Sequence, residues 1–179
     1  EKFTRYNWNK IFTLNIDDLV ENIYRLQGMP CDVIDAGTLD PGRDDGIRPK
    51  LIKLHGNVLH PENGYIFDNT EYVRFTADQS PLLRLFGQYF SSNDVIILGT
   101  EFQEDDLAVI NELYNNAGSD LTHNYFFIAP QINDLLLQDK IAATPNFHHI
   151  PWTTEEFIET ICNEVVPYVA DNQGLAELG

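Results

Sequence analysis

The sequence predicts an α/β domain: a largely parallel, Rossmann-like sheet with helices on both faces. Four or five short apolar runs, each of strand length, are spread along its 179 residues and read as strands buried on both faces. Stretches of helical periodicity separate them. Several of the runs end on residues able to do chemistry or to admit a ligand, namely Asn15, His55 and Gly99, and in such sheets ligands bind at the carboxyl ends of the strands.

The first strand is expected over Lys10 to Leu14, which is short, apolar and β-branched at Ile11 and Thr13. A helix is expected over Ile16 to Leu26, because Ile16, Leu19, Val20, Ile23, Tyr24 and Leu26 follow the i, i+3, i+4, i+7 spacing of one buried face. Asp17 and Asp18 would sit in its first turn, at the positive end of the helix dipole. Gly28 to Pro49 is a connection, with turn punctuation in DPGRDDG from Asp40 to Gly46 and a short strand at Asp32 to Ile34. Lys50 to Leu54 is the next strand and runs into His55 and Gly56.

His60 to Gly64 reads as a loop, Tyr65 to Phe67 as a short strand, and Asn69 or Thr70 as the cap of a short helix through Arg74. Ser80 followed by Pro81 starts a well-buried helix, since proline at the first helical position loses no bond. Asp94 to Leu98 is the clearest buried strand, and it breaks at Gly99 and Thr100 before a helix over Asp105 to Tyr114. Asn124 to Ala129 is a strand, Ile132 to Lys140 a helix and Phe147 to Ile150 a last strand. Thr153 and Glu156 form a capping box for a helix reaching about Pro167. The expected organisation is one domain over residues 1–170 and a frayed tail over 171–179.

A hydrophobic fraction of 43% with 11 Phe, 8 Tyr and 2 Trp supplies a core for one domain. The 28 acidic residues against 11 Lys plus Arg give a formal charge of −17. Such a surface repels a phosphate backbone, so direct nucleic-acid contact is not expected; a solvated acidic surface or a basic partner domain would account for the charge. Cys31 and Cys162 belong to no CxxC pair, which fits a reducing cytoplasm. No run approaches the ~20 apolar residues of a membrane span. His60, His123, His148 and His149 show no metal-ligand spacing, and no metal site is expected. The chain opens on Glu1 and its only methionine is Met29, which suggests a processed N-terminus or a segment of something larger.

The run TLNIDDL from Thr13 to Leu19 resembles the TQNID motif of sirtuins, KLHG from Lys53 to Gly56 their HG motif, and LGTEF from Leu98 to Phe102 their GTS loop. The chain is more similar to the SIR2-like domains of bacterial antiphage defence proteins, with their TTNYDxxxE-type motif, KLHG, a Y-I-F…EY segment and a G-x-x-x-x-D-x-D/L loop. The matching residues are Thr13, Asn15, Asp17, Asp18 and Glu21; Tyr65, Ile66, Phe67, Glu71 and Tyr72; and Gly99, Glu104, Asp105 and Asp106. The resemblance spans roughly residues 8 to 130, and the joint pattern is more specific than any single piece.

What the resemblance implies is cleavage of the nicotinamide N-glycosidic bond of NAD, the cofactor being the substrate, through a ribosyl centre with oxocarbenium-like charge. His55 would be the general base, accepting a proton from water or a ribose hydroxyl. Asn15, with a donor and an acceptor, would fix a water and the ribose. Asp17 would hold the carboxamide, with Thr13 beside them. Gly99 and Thr100 would approach the adenosine-side ribose or phosphates. Each residue has a structural rival: Asn15 as a helix cap, His55 as a satisfied loop residue, Gly99 with Thr100 as a turn and cap. Asp105 with Asp106 and Asp44 with Asp45 read as first-turn acids and a solvated turn.

Two departures from the pattern bear on function. Deacylating sirtuins carry a zinc ribbon after the HG motif, whereas Asn57 to Asp94 contains no cysteine. No zinc is therefore expected, and NAD hydrolysis is favoured over lysine deacylation. Both families also place a Gly-rich phosphate loop upstream of the Asn motif, and the 14 residues before Asn15 contain no glycine. The chain is thus expected to be the C-terminal two thirds of the domain. The reading is an NAD-depleting antiphage effector of the cytoplasm, joined to further domains or to copies of itself. A catalytically silent nucleotide-binding or assembly module and a protein deacylase remain the alternatives.

Overall fold

The computed structural model describes residues 2–6, 8–29, 31–38, 48–66, 80–100, 123–133, 135–143 and 146–165. Six strands form two three-stranded sheets among these residues, and every strand pair is parallel. The first sheet has β1 (Lys10–Thr13) and β2 (Asp32–Ile34) on either side of β3 (Lys50–Lys53). In the second, β5 (Tyr125–Ile128) lies between β4 (Val95–Leu98) and β6 (Phe147–Ile150). The α/β, parallel, helix-flanked architecture expected from the sequence is the one observed.

Side-chain alternation along β3 sets what covers each face. Ile52 and Leu54 point to one side and pack with Leu82, Phe12, Leu14, Ile34, Leu85 and Phe86. Leu82, Leu85 and Phe86 belong to α2 (Pro81–Ser92), which starts at the expected Ser80–Pro81 step. Lys53 points to the other side, where Glu21 on α1 (Leu19–Leu26) meets it. Helices thus cover both faces of the first sheet. In the second sheet Phe127 and Ala129 form the core with Ile97, Ile132, Ile141 and Phe147. Ile141 comes from α3 (Leu135–Ala143).

α2 also bridges the sheets. Phe12 of β1 lies 4.9 Å from Phe86, ring to ring, and Phe90 stacks on Tyr125 of β5 at 4.5 Å. The Tyr125 hydroxyl donates to the Phe90 carbonyl at 2.8 Å, satisfying the polar tip of a fully buried ring. A second tie joins the chain's start to its last described helix, α4 (Thr154–Glu164): Tyr6 donates to the Ile161 carbonyl at 2.6 Å. The predicted capping box at Thr153 and Glu156 is present in both directions.

Several expectations need correction. α1 begins at Leu19 rather than Ile16, because the carbonyls of Ile16 and Asp17 are taken by the Lys53 ammonium and are lost to the helix ladder. Asp17 is therefore in the turn before the helix, not in its first turn. β4 is not fully buried: Ile96 is 39% exposed, and among the described residues β4 pairs only with β5. Tyr65 and Ile66 form no strand, although the Ile66 amide donates to the His55 carbonyl. Pro61–Asn63 is a 3-10 turn within the expected loop, and the helix expected from Ile132 starts at Leu135. The expected elements at 69–74 and 105–114, the 40–46 turn, and Glu71, Tyr72, Glu104, Asp105 and Asp106 lie outside the described residues.

Candidate active site

Register builds this site. Thr13 pairs with Lys53, so Asn15 and His55 each stand two residues beyond one paired position on adjacent parallel strands. Neighbouring strands lie ~4.8 Å apart, which brings the two segments together at the carboxyl edge. The ladder continues past the strands proper: the Leu54 amide donates to the Thr13 carbonyl at 2.9 Å, and the Val58 amide to the Ile16 carbonyl at 2.8 Å. The turn after β1 is thereby sewn to the turn after β3.

Asn15 is exposed and caps no helix; its amide donates to Thr13 Oγ1 at 3.1 Å, so Thr13 shapes the turn from within. Asp17 is exposed, and its Oδ1 accepts from the Leu19 amide at 3.1 Å, closing the turn ahead of α1. His55 is half-buried. Gly56 follows with φ of 106°, and a Cβ there would lie 2.6 Å from the Gly64 carbonyl oxygen and 2.9 Å from the Tyr65 ring. Only glycine meets both demands.

Gly99 and Thr100 end β4, in the other sheet, so strand pairing does not bring them to Asn15 and His55 as it brings those two together. Gly99 is exposed with φ of 72°, and among the described residues nothing lies within 4 Å of where its Cβ would be.

Two buried charged groups flank the site, and the sequence reading gave neither a role. Lys53, fully buried, places its Nζ 2.6 Å from Glu21 Oε1 and 3.3 Å from the Ile16 carbonyl, and it also donates to the Asp17 carbonyl. The contact with Glu21 is ionic and poorly aligned for a hydrogen bond; both Glu21 oxygens and the Tyr24 hydroxyl lack hydrogen-bond partners among the described residues. Burial raises the Tyr24 hydroxyl pKa, with neighbouring Cys31 adding to the effect. It also raises the Cys31 thiol, reinforced by the Glu21 charge.

Asp35, one residue past β2, is fully buried. Oδ1 accepts from the Gly37 amide at 3.0 Å, the Thr38 amide at 3.1 Å, Thr38 Oγ1 at 3.0 Å and Asn63 Nδ2 at 3.3 Å. Oδ2 accepts from Asn57 Nδ2 at 3.1 Å and meets His60 Nδ1 at 2.5 Å. Burial alone would raise its pKa, but the bonds from His60, Asn57, Thr38 and Gly37 together hold it below the ordinary carboxylate range. The signal for Lys53 was legible: a lysine between Ile52 and Leu54 in an apolar strand demands a partner.

A parallel α/β domain with polar residues gathered at its strand ends has the form of a nucleotide-using fold. The sequence profile of the SIR2-like domain family matches residues 9–150, and the chain belongs to that family, whose domains bind NAD. No curated protein matches the chain. Among the described residues no group of three or more His, Cys, Asp or Glu could hold a metal ion, and no helix is long and apolar enough to cross a membrane.

Proposed function

We propose that this chain is the catalytic part of an NAD+ hydrolase that cleaves the nicotinamide N-glycosidic bond. The observation carrying the reading is the register that sets Asn15 and His55 at matching positions on adjacent strands, with exposed Asp17 in the same turn. In hydrolysis the bond between the ribosyl carbon and the nicotinamide nitrogen breaks, and its electron pair leaves with nicotinamide. A water oxygen bonds to that carbon, and its proton passes to His55. Asn15 holds the water and the ribose, and Asp17 holds the carboxamide. Gly99 and Thr100 take the adenosine side, where a bare backbone admits close approach.

The motif resemblance supports a cytoplasmic role in antiphage defence by NAD depletion. The absence of cysteine from Asn57 to Asp94 favours hydrolysis over lysine deacylation.

The test is nicotinamide release from NAD by the native full-length polypeptide. His55→Ala is expected to lower the rate by about 10²- to 10⁴-fold, and Asn15→Ala comparably, with folding retained. A wild type that binds NAD without cleaving it would make the domain a nucleotide-binding or assembly module. Acyl release from a lysine peptide, with no hydrolysis in its absence, would make it a deacylase.

A further inference from the structure

The motif residues Glu21 and Lys53 have no part in the chemistry above, yet they occupy the ground beneath it. Lys53 is fully buried and Glu21 nearly so, with 13% of its side chain exposed. The ammonium reaches three groups: the Glu21 carboxylate on α1 and the main-chain carbonyls of Ile16 and Asp17. Those carbonyls flank the turn that presents Asn15 and Asp17, while Lys53 itself lies two residues before His55 on β3. One side chain thus binds the Asn15 turn, the head of α1 and the His55 strand.

We propose that Lys53, with Glu21 as its counter-ion, is a positioning residue that fixes the Asn15–Asp17 turn relative to His55. The proposal rests on the NAD-cleaving reading for its catalytic consequence only; the mechanical part stands on the geometry. A buried ion pair is a poor source of stability in itself, because desolvating two charges offsets most of their attraction. Removing one partner strands the other, whereas replacing both with apolar groups of similar volume is often neutral or stabilising. What an apolar pair does not replace is the donor to the Ile16 and Asp17 carbonyls. Without it the turn keeps, among the described residues, the Val58 amide on Ile16, the Asp17 Oδ1 bond to Leu19 and the local Asn15 amide bond to Thr13 Oγ1.

The experiment compares the full-length protein with Lys53→Met, Glu21→Leu and the pair combined. Each single variant is expected to lower the melting temperature, and the combined variant to recover it. In the combined variant kcat for NAD cleavage is expected to stay about 10- to 100-fold down, the scale of a misplaced reacting group, with the pH profile set by His55 unmoved. Recovery of kcat together with stability would show the pair to be structural only and overturn the proposal.

Amide hydrogen exchange supplies an arm independent of NAD chemistry. In the combined variant the Leu19 and Val58 amides are expected to exchange at least about 10-fold faster, with Tyr125 to Ile128 unchanged. Unaltered exchange at Leu19 and Val58 overturns the clamp whether or not the wild type cleaves NAD. Faster exchange with no wild-type cleavage upholds the clamp and removes the enzymatic reading alone.

Discussion

Asp35 Oδ2 and His60 Nδ1 meet at 2.5 Å, joining the turn after β2 to the loop that leaves His55 and Gly56. Through Asn57 and Asn63 the same carboxylate holds two further points of that loop. A buried acid at the edge of the first sheet therefore determines the course of the chain on the far side of the candidate base.

Replacing Asp35 with alanine leaves the Gly37 and Thr38 amides and the Asn57 side chain without their acceptor. Gly37 and Thr38 are exposed, so water can replace the carboxylate there, whereas Asn57 is buried; a stranded buried group costs about 1–3 kcal/mol, and a loss of that size is expected, read from urea unfolding. A loss under about 1 kcal/mol would mean that water replaces the carboxylate freely.

The same carboxylate makes stability depend on pH. Its folded pKa lies below the unfolded one, so its contribution is fully present above the ordinary value near about 4 and is lost as pH falls through the lower folded value. Between about pH 5 and pH 2 the melting temperature of the wild type is expected to fall more steeply than that of Asp35→Asn. Parallel curves would assign acid sensitivity to other carboxylates.

Gly56→Ala puts a methyl 2.6 Å from the Gly64 carbonyl oxygen at φ of 106°. Backbone strain there costs about 1–3 kcal/mol, and relieving it must shift the peptide next to His55. Lowered stability and a loss of NAD cleavage are both expected. Unchanged melting temperature and unchanged nicotinamide release would contradict this.

At the other end of the chain, Thr153 Oγ1 accepts from the Glu156 amide at 3.1 Å while Glu156 Oε2 accepts from the Thr153 amide at 2.7 Å. Thr153→Ala is expected to cost about 1 kcal/mol and to leave NAD cleavage unchanged, since neither Thr153 nor Glu156 is among the residues assigned to NAD. Thermal unfolding and nicotinamide release check the two halves of this expectation.

Much of this architecture was legible because it depends on local rules. Proline at the start of α2, the capping box of α4 and the apolar runs of β3 and β5 each declare themselves within a few residues. What could not be read depends on contacts across the fold. The start of α1 is displaced to Leu19 by a lysine 37 residues from Ile16, and no window around Ile16 contains that lysine. β4 looked fully buried because its composition is apolar, whereas Ile96 reaches the surface. The pairing of Asn15 with His55 was inferred from motif order; register supplies the physical reason, and Asp35 with its ring of donors had no local pattern to announce it.

The bridging position of α2 also bears on how the chain folds. Each sheet comes from its own stretch of sequence, residues 10–53 for the first and 95–150 for the second. Most strand pairing is therefore reached by moderate loop closures within each stretch. Besides the Tyr6–Ile161 tie, joining the halves draws on the Phe86 and Phe90 rings of α2, which reach Phe12 on one side and Tyr125 on the other. Trimming those rings is expected to slow the docking of two preassembled halves more than the assembly of either, making α2 the hinge on which the order of folding turns.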